Sequence, residues 1–231
     1  MLFRSAASGL LDKDLGTLNV AVTGAVYDYA KVAVTNAPLA FGNVRTDATV
    51  ANRTLTFGNT TITDANYQDA LLVATTANNG KLTATGATIA AGTTGNLTVA
   101  ISTATAGSLA DTLAVSQTSK AAAANLLDKD LGSLNVAVTG AVYDYAKATL
   151  ASTSLALGNV RPGAADTLSV ANEVITSSTY QDGLLVAATS ANGNLTLTSP
   201  AKIAAGLTGN VGVKAKQAGL LDATEIGRAH V

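Results

Sequence analysis

Recurring carboxylates and tyrosines are the side chains whose spacing could do chemistry in this chain. Asp12-x-Asp14-x-Gly16 returns as Asp128-x-Asp130-x-Gly132, and Tyr67-Gln68-Asp69 returns as Tyr180-Gln181-Asp182. Two aspartates one residue apart, ahead of a glycine, are faintly like the opening of a Ca²⁺ loop. Such a loop needs further oxygen ligands and a bidentate Glu several residues on. A hydrophobic strand phrase follows here instead, so a solvated turn between domains is the better reading. The Tyr-x-Asp pair admits two readings. The ring could stack on a sugar with the carboxylate as polar partner. The plainer alternative is a ring packed on the edge of a β-sandwich with its hydroxyl bonded to backbone, as tyrosines with a polar handle commonly are.

Nucleophilic chemistry has little to draw on. The chain holds one His, His230, and no Cys, which leaves no thiol nucleophile, no disulfide and no thiolate metal site. No catalytic residue, metal or cofactor is expected, and the chain reads as a non-enzyme. Net charge is −1. Lys202, Lys214 and Lys216 are the nearest approach to a basic cluster, too few to neutralise a phosphate backbone, so no nucleic-acid partner is expected. Apolar runs such as "DALLVA" at Asp69–Ala74 are short, far below the roughly 20 residues of a membrane span. The opening "MLFRS" has no apolar stretch behind its charge, so it is not a signal peptide.

Composition points to the elements that must hold these residues. Only 13% of residues are charged, while 48% are hydrophobic and 4% aromatic. The charged share is about half the roughly 25% of ordinary soluble proteins, and Thr, Asn, Ser and Gly supply the polarity, which suits strands and tight turns. Leu18, Val20 and Val22 alternate with polar or small residues, as do Leu97, Val99 and Ile101, and Leu168 and Val170. That is the period of half-buried strands. Asn79-Gly80 and Asn192-Gly193 predict hairpin turns, and Gly92 and Gly206 mark a second turn at matching places. No segment predicts a helix of useful length. The expected class is all-β.

Repetition organises the whole. "LLDKDLGTLNVAVTGAVYDYAK" at Leu10–Lys31 returns at Leu126–Lys147 with one change, Thr17 to Ser133, at an offset of 126 − 10 = 116 residues. "LAFGNVR" at Leu39–Arg45 returns as "LALGNVR" at Leu155–Arg161. "YQDALLVA" from Tyr67 returns as "YQDGLLVA" from Tyr180, at 180 − 67 = 113. This period is too long for a solenoid coil and matches one β-sandwich of about 100 residues. A unit beginning after "YDYAK" makes 32–147 a complete repeat and 6–31 the closing strand of an upstream one. Residues 148–224 are then a second repeat without its closing strand. The outermost peptides, 1–5 and 225–231, are expected to be foreign. "LFRS" can be encoded as the reverse complement of a sequence for "EIGRAH", as a ligated adapter translated in frame at both flanks would be.

Gly42 to Arg45, Leu55 to Asn59, Tyr67 to Leu71, Ile89 to Gly92 and Val136 to Tyr143 carry a family likeness. Together they resemble the bacterial choice-of-anchor D repeat, and more distantly the ASPM–SPD-2–Hydin-type Ig-like domain. The likeness covers nearly everything from Ala6 to Thr224. It departs at Thr46-Asp47, where the family commonly has a glycine-bearing turn. Leu157 and Val170 stand where the first copy has Phe41 and Phe57, which implies a thinner second core. The resemblance implies tandem Ig-like antiparallel β-sandwiches, the second truncated. It further implies a stalk, spacer or adhesive segment of a large bacterial protein, extracellular or on the cell surface. A carbohydrate-binding accessory module of a secreted enzyme is the alternative. Neighbouring repeats are the expected partners. Tyr143, Tyr145, Asp128 and Asp130 are expected at the junction between repeats, with Tyr143 and Tyr145 packing there. A strand without a domain and a domain without a strand also predict strand addition, from another copy of the chain or from its own second repeat.

Overall fold

The computed structural model describes residues 16–221 and 224–230, apart from 36, 78, 79 and 192, and for 224–230 the backbone course alone. Alternating apolar side chains give each strand one face to bury, and two such faces closing on each other make a sandwich. The first unit does this with ten strands: β1 (Val32–Thr35), β2 (Leu39–Arg45), β3 (Arg53–Asn59), β4 (Ala70–Thr76), β5 (Leu82–Ala84), β6 (Ala87–Ile89), β7 (Thr94–Ile101), β8 (Gly107–Ser108), β9 (Asp111–Lys120) and β10 (Lys129–Tyr143). One sheet has the order β1-β3-β7-β5. The other has the order β2-β10-β9-β4-β6, with β8 beside the far end of β10. Between them Leu55, Phe57, Leu97 and Val99 meet Leu71, Val73, Leu113, Val115, Val136 and Val138, all at most 2% exposed. Each such side chain contributes about 1.5–3 kcal/mol by leaving water.

One pair departs from the expected antiparallel pattern. β2 runs parallel to β10, from Leu39 against Val138 to Arg45 against Tyr143. The cause is a change of sheet: β1 lies antiparallel to β3 in the first sheet, and the chain continues in β2 on the second. Direction is carried across, while that of β10 is set by its hairpin with β9.

The second unit repeats half of this plan. Its strands are β11 (Lys147–Leu150), β12 (Ala165–Glu173), β13 (Leu184–Ser190), β14 (Leu195–Thr198), β15 (Thr208–Ala215) and β16 (Thr224–His230). The sheet β11-β12-β15-β14 copies β1-β3-β7-β5 strand for strand. Even the cross-strand bond from Thr56 Oγ1 to Asn96 (2.9 Å) returns, from Ser169 Oγ to Asn210 (2.9 Å). The opposing sheet is reduced to β13 and β16, with the counterpart of β6 cut to one bridge between Leu184 and Ile203. The core is thinner: among the described residues its buried cluster has 8 members against 17 in the first unit. Phe-to-Val exchange is the smaller part of that. Counterparts of Val136, Val138 and Val142 are missing from the described residues, and those of Leu113 and Val115 fall on β16, of which only the backbone course is described.

Two stretches behave otherwise than their sequence pattern predicts. Leu18–Val26 alternates as a strand should, yet it forms none, and Leu18, Val20, Val22 and Val26 are 90%, 73%, 92% and 90% exposed. Among the described residues no strand pairs with it. Residues 225–230, set aside on sequence grounds as foreign, lie within β16, which pairs antiparallel with β13 from Leu184 against His230 to Ser190 against Thr224. Backbone pairing is indifferent to side-chain identity, and an open strand edge takes an extended segment that reaches it. The opposite peptide, 1–5, lies outside the described residues, as do Asp12 and Asp14. Gly80 and Gly193 adopt the positive φ their hairpins require, at 69° and 72°, while their partners Asn79 and Asn192 are outside the described residues. No helix among the described residues is long and apolar enough to cross a membrane.

Candidate functional site: the junction between units

The phrase Tyr-Asp-Tyr-Ala-Lys leaves one unit and threads the next, and the chain shows the arrangement twice. Its anchor is a buried amide pair. Asn59, fully buried, accepts through Oδ1 from the Lys31 amide (3.0 Å) and from Gln68 Nε2 (2.9 Å). Its Nδ2 donates to the carbonyls of Asp69 (2.8 Å) and Ile89 (3.2 Å). Gln68 uses its remaining groups on Ile62 N and Thr60 O. Every polar atom is matched, which burial demands. Asn172 and Gln181 repeat this bond for bond. Asn172 Oδ1 accepts from Lys147 N (3.0 Å) and Gln181 Nε2 (3.0 Å), and Nδ2 donates to Asp182 O (2.9 Å) and Ile203 O (3.1 Å).

Main chain completes the clamp. Asp28 N donates to Tyr67 O (2.8 Å) and Asp69 N to Asp28 O (2.9 Å). At the second junction Asp144 N donates to Tyr180 O (2.9 Å) and Asp182 N to Asp144 O (3.0 Å). The short 3-10 turns that present these carbonyls, Ala65–Tyr67 and Ser178–Tyr180, are capped by Asp64 and Ser177. An edge-to-face ring pair closes each joint: Tyr27 on Tyr67 at 5.6 Å and Tyr143 on Tyr180 at 5.7 Å. Such pairs add about 0.5–1.5 kcal/mol beyond their burial.

Of the residues singled out by sequence, Tyr143 and Tyr145 are brought together at the second junction. Tyr143 meets Tyr180 of the second unit, and the half-exposed Tyr145 ring lies 5.2 Å from the guanidinium of Arg45. Arg45, on the first unit, also forms an ion pair with Asp182 on the second. Asp128 and Asp130 stand at the opposite end of β10, in and beside its turn with β9. There Asp128 accepts from Lys120 Nζ (2.6 Å) and Ala121 N (2.9 Å), and Asp130 accepts from Gly132 N (2.8 Å). The Lys120 ammonium and the Ala121 amide hold the Asp128 carboxyl below its ordinary value of 3.8. Between them Lys129 places its ammonium 4.2 Å from the Tyr29 ring, so this turn meets the strand arriving from upstream.

Tyr67 and Asp69 do not form a shared binding face. Asp69 is 3% exposed, and its carboxylate accepts from Ser119 Oγ (2.9 Å) and Ala122 N (3.0 Å). Ser119 Oγ in turn accepts from Ala30 N (2.8 Å). The aspartate therefore ties β9 and the arriving strand together. A shallow cleft of 320 Å³ lies beside Tyr67, lined by Gly24, Ala25, Val26, Asp28, Thr63 and Asp64. Its wall is open because Val26 is 90% exposed, where its counterpart Val142 is fully buried.

Asn59 and Gln68 escaped the sequence reading, although a signal was there. The pair recurs at Asn172 and Gln181 with both offsets equal, 172 − 59 = 181 − 68 = 113. Two amides holding their spacing through a repeat are candidates for a buried polar clamp.

No protein-family model and no curated protein matches the sequence. Among solved structures, the chain is similar to that of the YadV chaperone at 10% identity and a TM-score of 0.31, over 87% of this chain and 99% of that one. A likeness of that degree says nothing about function.

Proposed function

We propose that the chain is a non-enzymatic structural segment of a large bacterial surface or secreted protein of the choice-of-anchor D kind. Its tandem sandwiches act as a stalk, spacer or adhesive layer outside the cell. One observation carries this reading: each unit grips the strand arriving from its predecessor with the same bonds, Asn59 with Lys31 and Asn172 with Lys147. A joint made identically at successive positions sets a constant relation between neighbours. Length then grows by adding units while each core stays its own, the logic of quasi-one-dimensional arrays. The chemistry present at the joints is buried hydrogen bonding and ring packing, suited to bearing load. Neighbouring repeats are the first partners of each unit.

Solution scattering on Tyr143→Ala and Tyr145→Ala variants tests the role of the joint. The reading expects a broader distribution of interunit distances while each unit keeps its own unfolding transition. Unchanged scattering from both variants would refute it.

A further inference from the structure

We propose that the turn Arg45–Ala48 is a latch that sets how stiffly the second unit is held on the first, and that the chain carries another version of the same turn that cannot latch. The inference goes beyond the stalk reading, since it concerns how tightly one joint is held whatever the joined units do.

One peptide group is shared by both units. The carbonyl of Tyr143, the last residue of β10, accepts from Thr46 N (2.9 Å) in the first unit. The amide of the same peptide group, Asp144 N, donates to Tyr180 O (2.9 Å) in the second. A peptide group is a rigid plane, so the two bonds hold one plate from opposite sides. Turning the second unit about this link must bend or break one of them. Beside the plate the Tyr143 ring packs on Tyr180, and the Arg45 guanidinium lies 5.2 Å from the Tyr145 ring. Thr46 acts on the joint through Tyr143 and is therefore a positioning residue.

The turn that offers this amide is not the easiest one to build. Ala48 N closes it on Arg45 O (3.3 Å), and its third residue, Asp47, stands at a φ of 59°. Positive φ at that place marks a type II turn, which favours Pro in second place and Gly in third. The second unit has that pair: Thr46-Asp47 corresponds to Pro162-Gly163, 162 − 46 = 163 − 47 = 116. There Ala164 N closes on Arg161 O (3.1 Å), and Gly163 takes a φ of 98°. Each turn is fastened to its own unit by the amide of its positive-φ residue, Asp47 N to Thr103 O (3.1 Å) and Gly163 N to Ala215 O (2.8 Å).

The two turns differ in one donor. Second place in a type II turn keeps its N–H outside the turn's own bond, so Thr46 can give it to Tyr143. Pro162 has no N–H to give. A joint closed by Thr-Asp is stiff, and one closed by Pro-Gly is looser. Successive units can in this way be rigid at some joints and bend at others while the ring pair and the amide clamp stay the same.

Copying one turn onto the place of the other tests this. Thr46→Pro with Asp47→Gly gives the first unit a turn that the chain already builds at 161–164, so the unit should fold with a denaturant midpoint near its natural one. In hydrogen exchange the Asp144 amide should open about five-fold faster, the equivalent of one net hydrogen bond. Because the chain has no Cys, spin labels at Thr83→Cys and Thr196→Cys, both exposed, report the interunit distance, and its distribution should widen. Asp47→Gly alone eases the turn and keeps the Thr46 amide, so both readings should stay at their natural values. Either reading left unchanged in the double variant would overturn the proposal. So would an Asp47→Gly chain as loose as the double variant, because strain in the turn would then govern the joint. Faster exchange spread evenly along β10 would also overturn it, by placing the change in the stability of the first unit.

Discussion

Leu39–Arg45 and Leu155–Arg161 differ at one residue of seven, Phe41 against Leu157; the first is strand β2 and the second is not a strand at all. Both bend at the same glycine and turn the same side chains inward, but Leu39 is 4% exposed and its counterpart Leu155 only half-buried. Leu18–Val26 against Leu134–Val142 makes the same point with nine identical residues. What separates the members of each pair is the neighbour. A strand is completed by a partner's hydrogen bonds and a facing apolar layer, so β-propensity reports a fit to context more than a local preference. In the first unit β10 supplies that context to β2, and β2 and β9 supply it to β10.

Hydrogen exchange gives the widest separation between the two units. Amides of Leu39–Arg45 bonded to β10 should open only with the whole first unit. For a domain of ordinary stability that means protection of about 10⁴-fold or more. Amides of Leu155–Arg161 should exchange close to the unprotected rate. Similar protection in both stretches would mean that the second holds its shape without a partner strand.

Next in size comes the amide clamp. Asn59→Ala strands the Lys31 amide, the Gln68 amide and two carbonyls in a buried place, a loss of about 3 kcal/mol. Asn172→Ala should cost its own unit a similar amount, since the same four bonds are broken in the same geometry. Denaturant titration that follows each unit's transition separately checks this. A much smaller loss for Asn172 would show that the clamp draws its strength from the complete second sheet, which only the first unit has.

Smaller again is a substitution made twice in one sequence. Val138→Ala empties a site that is 1% exposed and should lower the first unit's stability by about 2 kcal/mol. Val22→Ala changes the same residue between the same neighbours at 92% exposure. It should move that stability by no more than about 0.5 kcal/mol. Equal effects would mean that Leu18–Val26 lies buried in solution.

Much of this architecture could be read from the sequence. Alternation at Leu97, Val99 and Ile101, the glycines at 80, 92, 193 and 206 and the 116-residue repeat lead to two β-sandwich units. What alternation could not tell was whether a partner exists, so Leu18–Val26 read as a strand and forms none. The parallel pairing of β2 was hidden for a related reason, because it depends on a change of sheet between β1 and β2. At the junction Tyr143 and Tyr145 were legible from their phrase. Asp69 was not, because its partner Ser119 lies 50 residues away, and local pattern holds nothing of such a contact. Arg45 and Asp182 pair across units for the same kind of reason.

The least of the expected effects concerns a position where the units differ in charge. Thr60 in the first unit corresponds to Glu173 in the second, 173 − 60 = 113, and Glu173 forms an exposed ion pair with Lys147 at 2.8 Å. Lys147, with help from the Thr149 hydroxyl, holds the Glu173 carboxyl below its ordinary value of 4.5. A carboxyl whose folded pKa is lowered binds protons more readily in the unfolded chain, so its contribution is complete above the ordinary value and fades as pH falls through the lowered one. Glu173→Thr makes the second unit resemble the first here. The variant should therefore be slightly less stable than the natural chain at neutral pH and low salt, and indistinguishable from it in strong acid. High salt should also shrink the difference, because exposed charges are screened over a Debye length of about 10 Å or less. A gap that persists in acid would assign the effect to lost packing of the Glu173 side chain, and charge would then play no part in how the two joints differ.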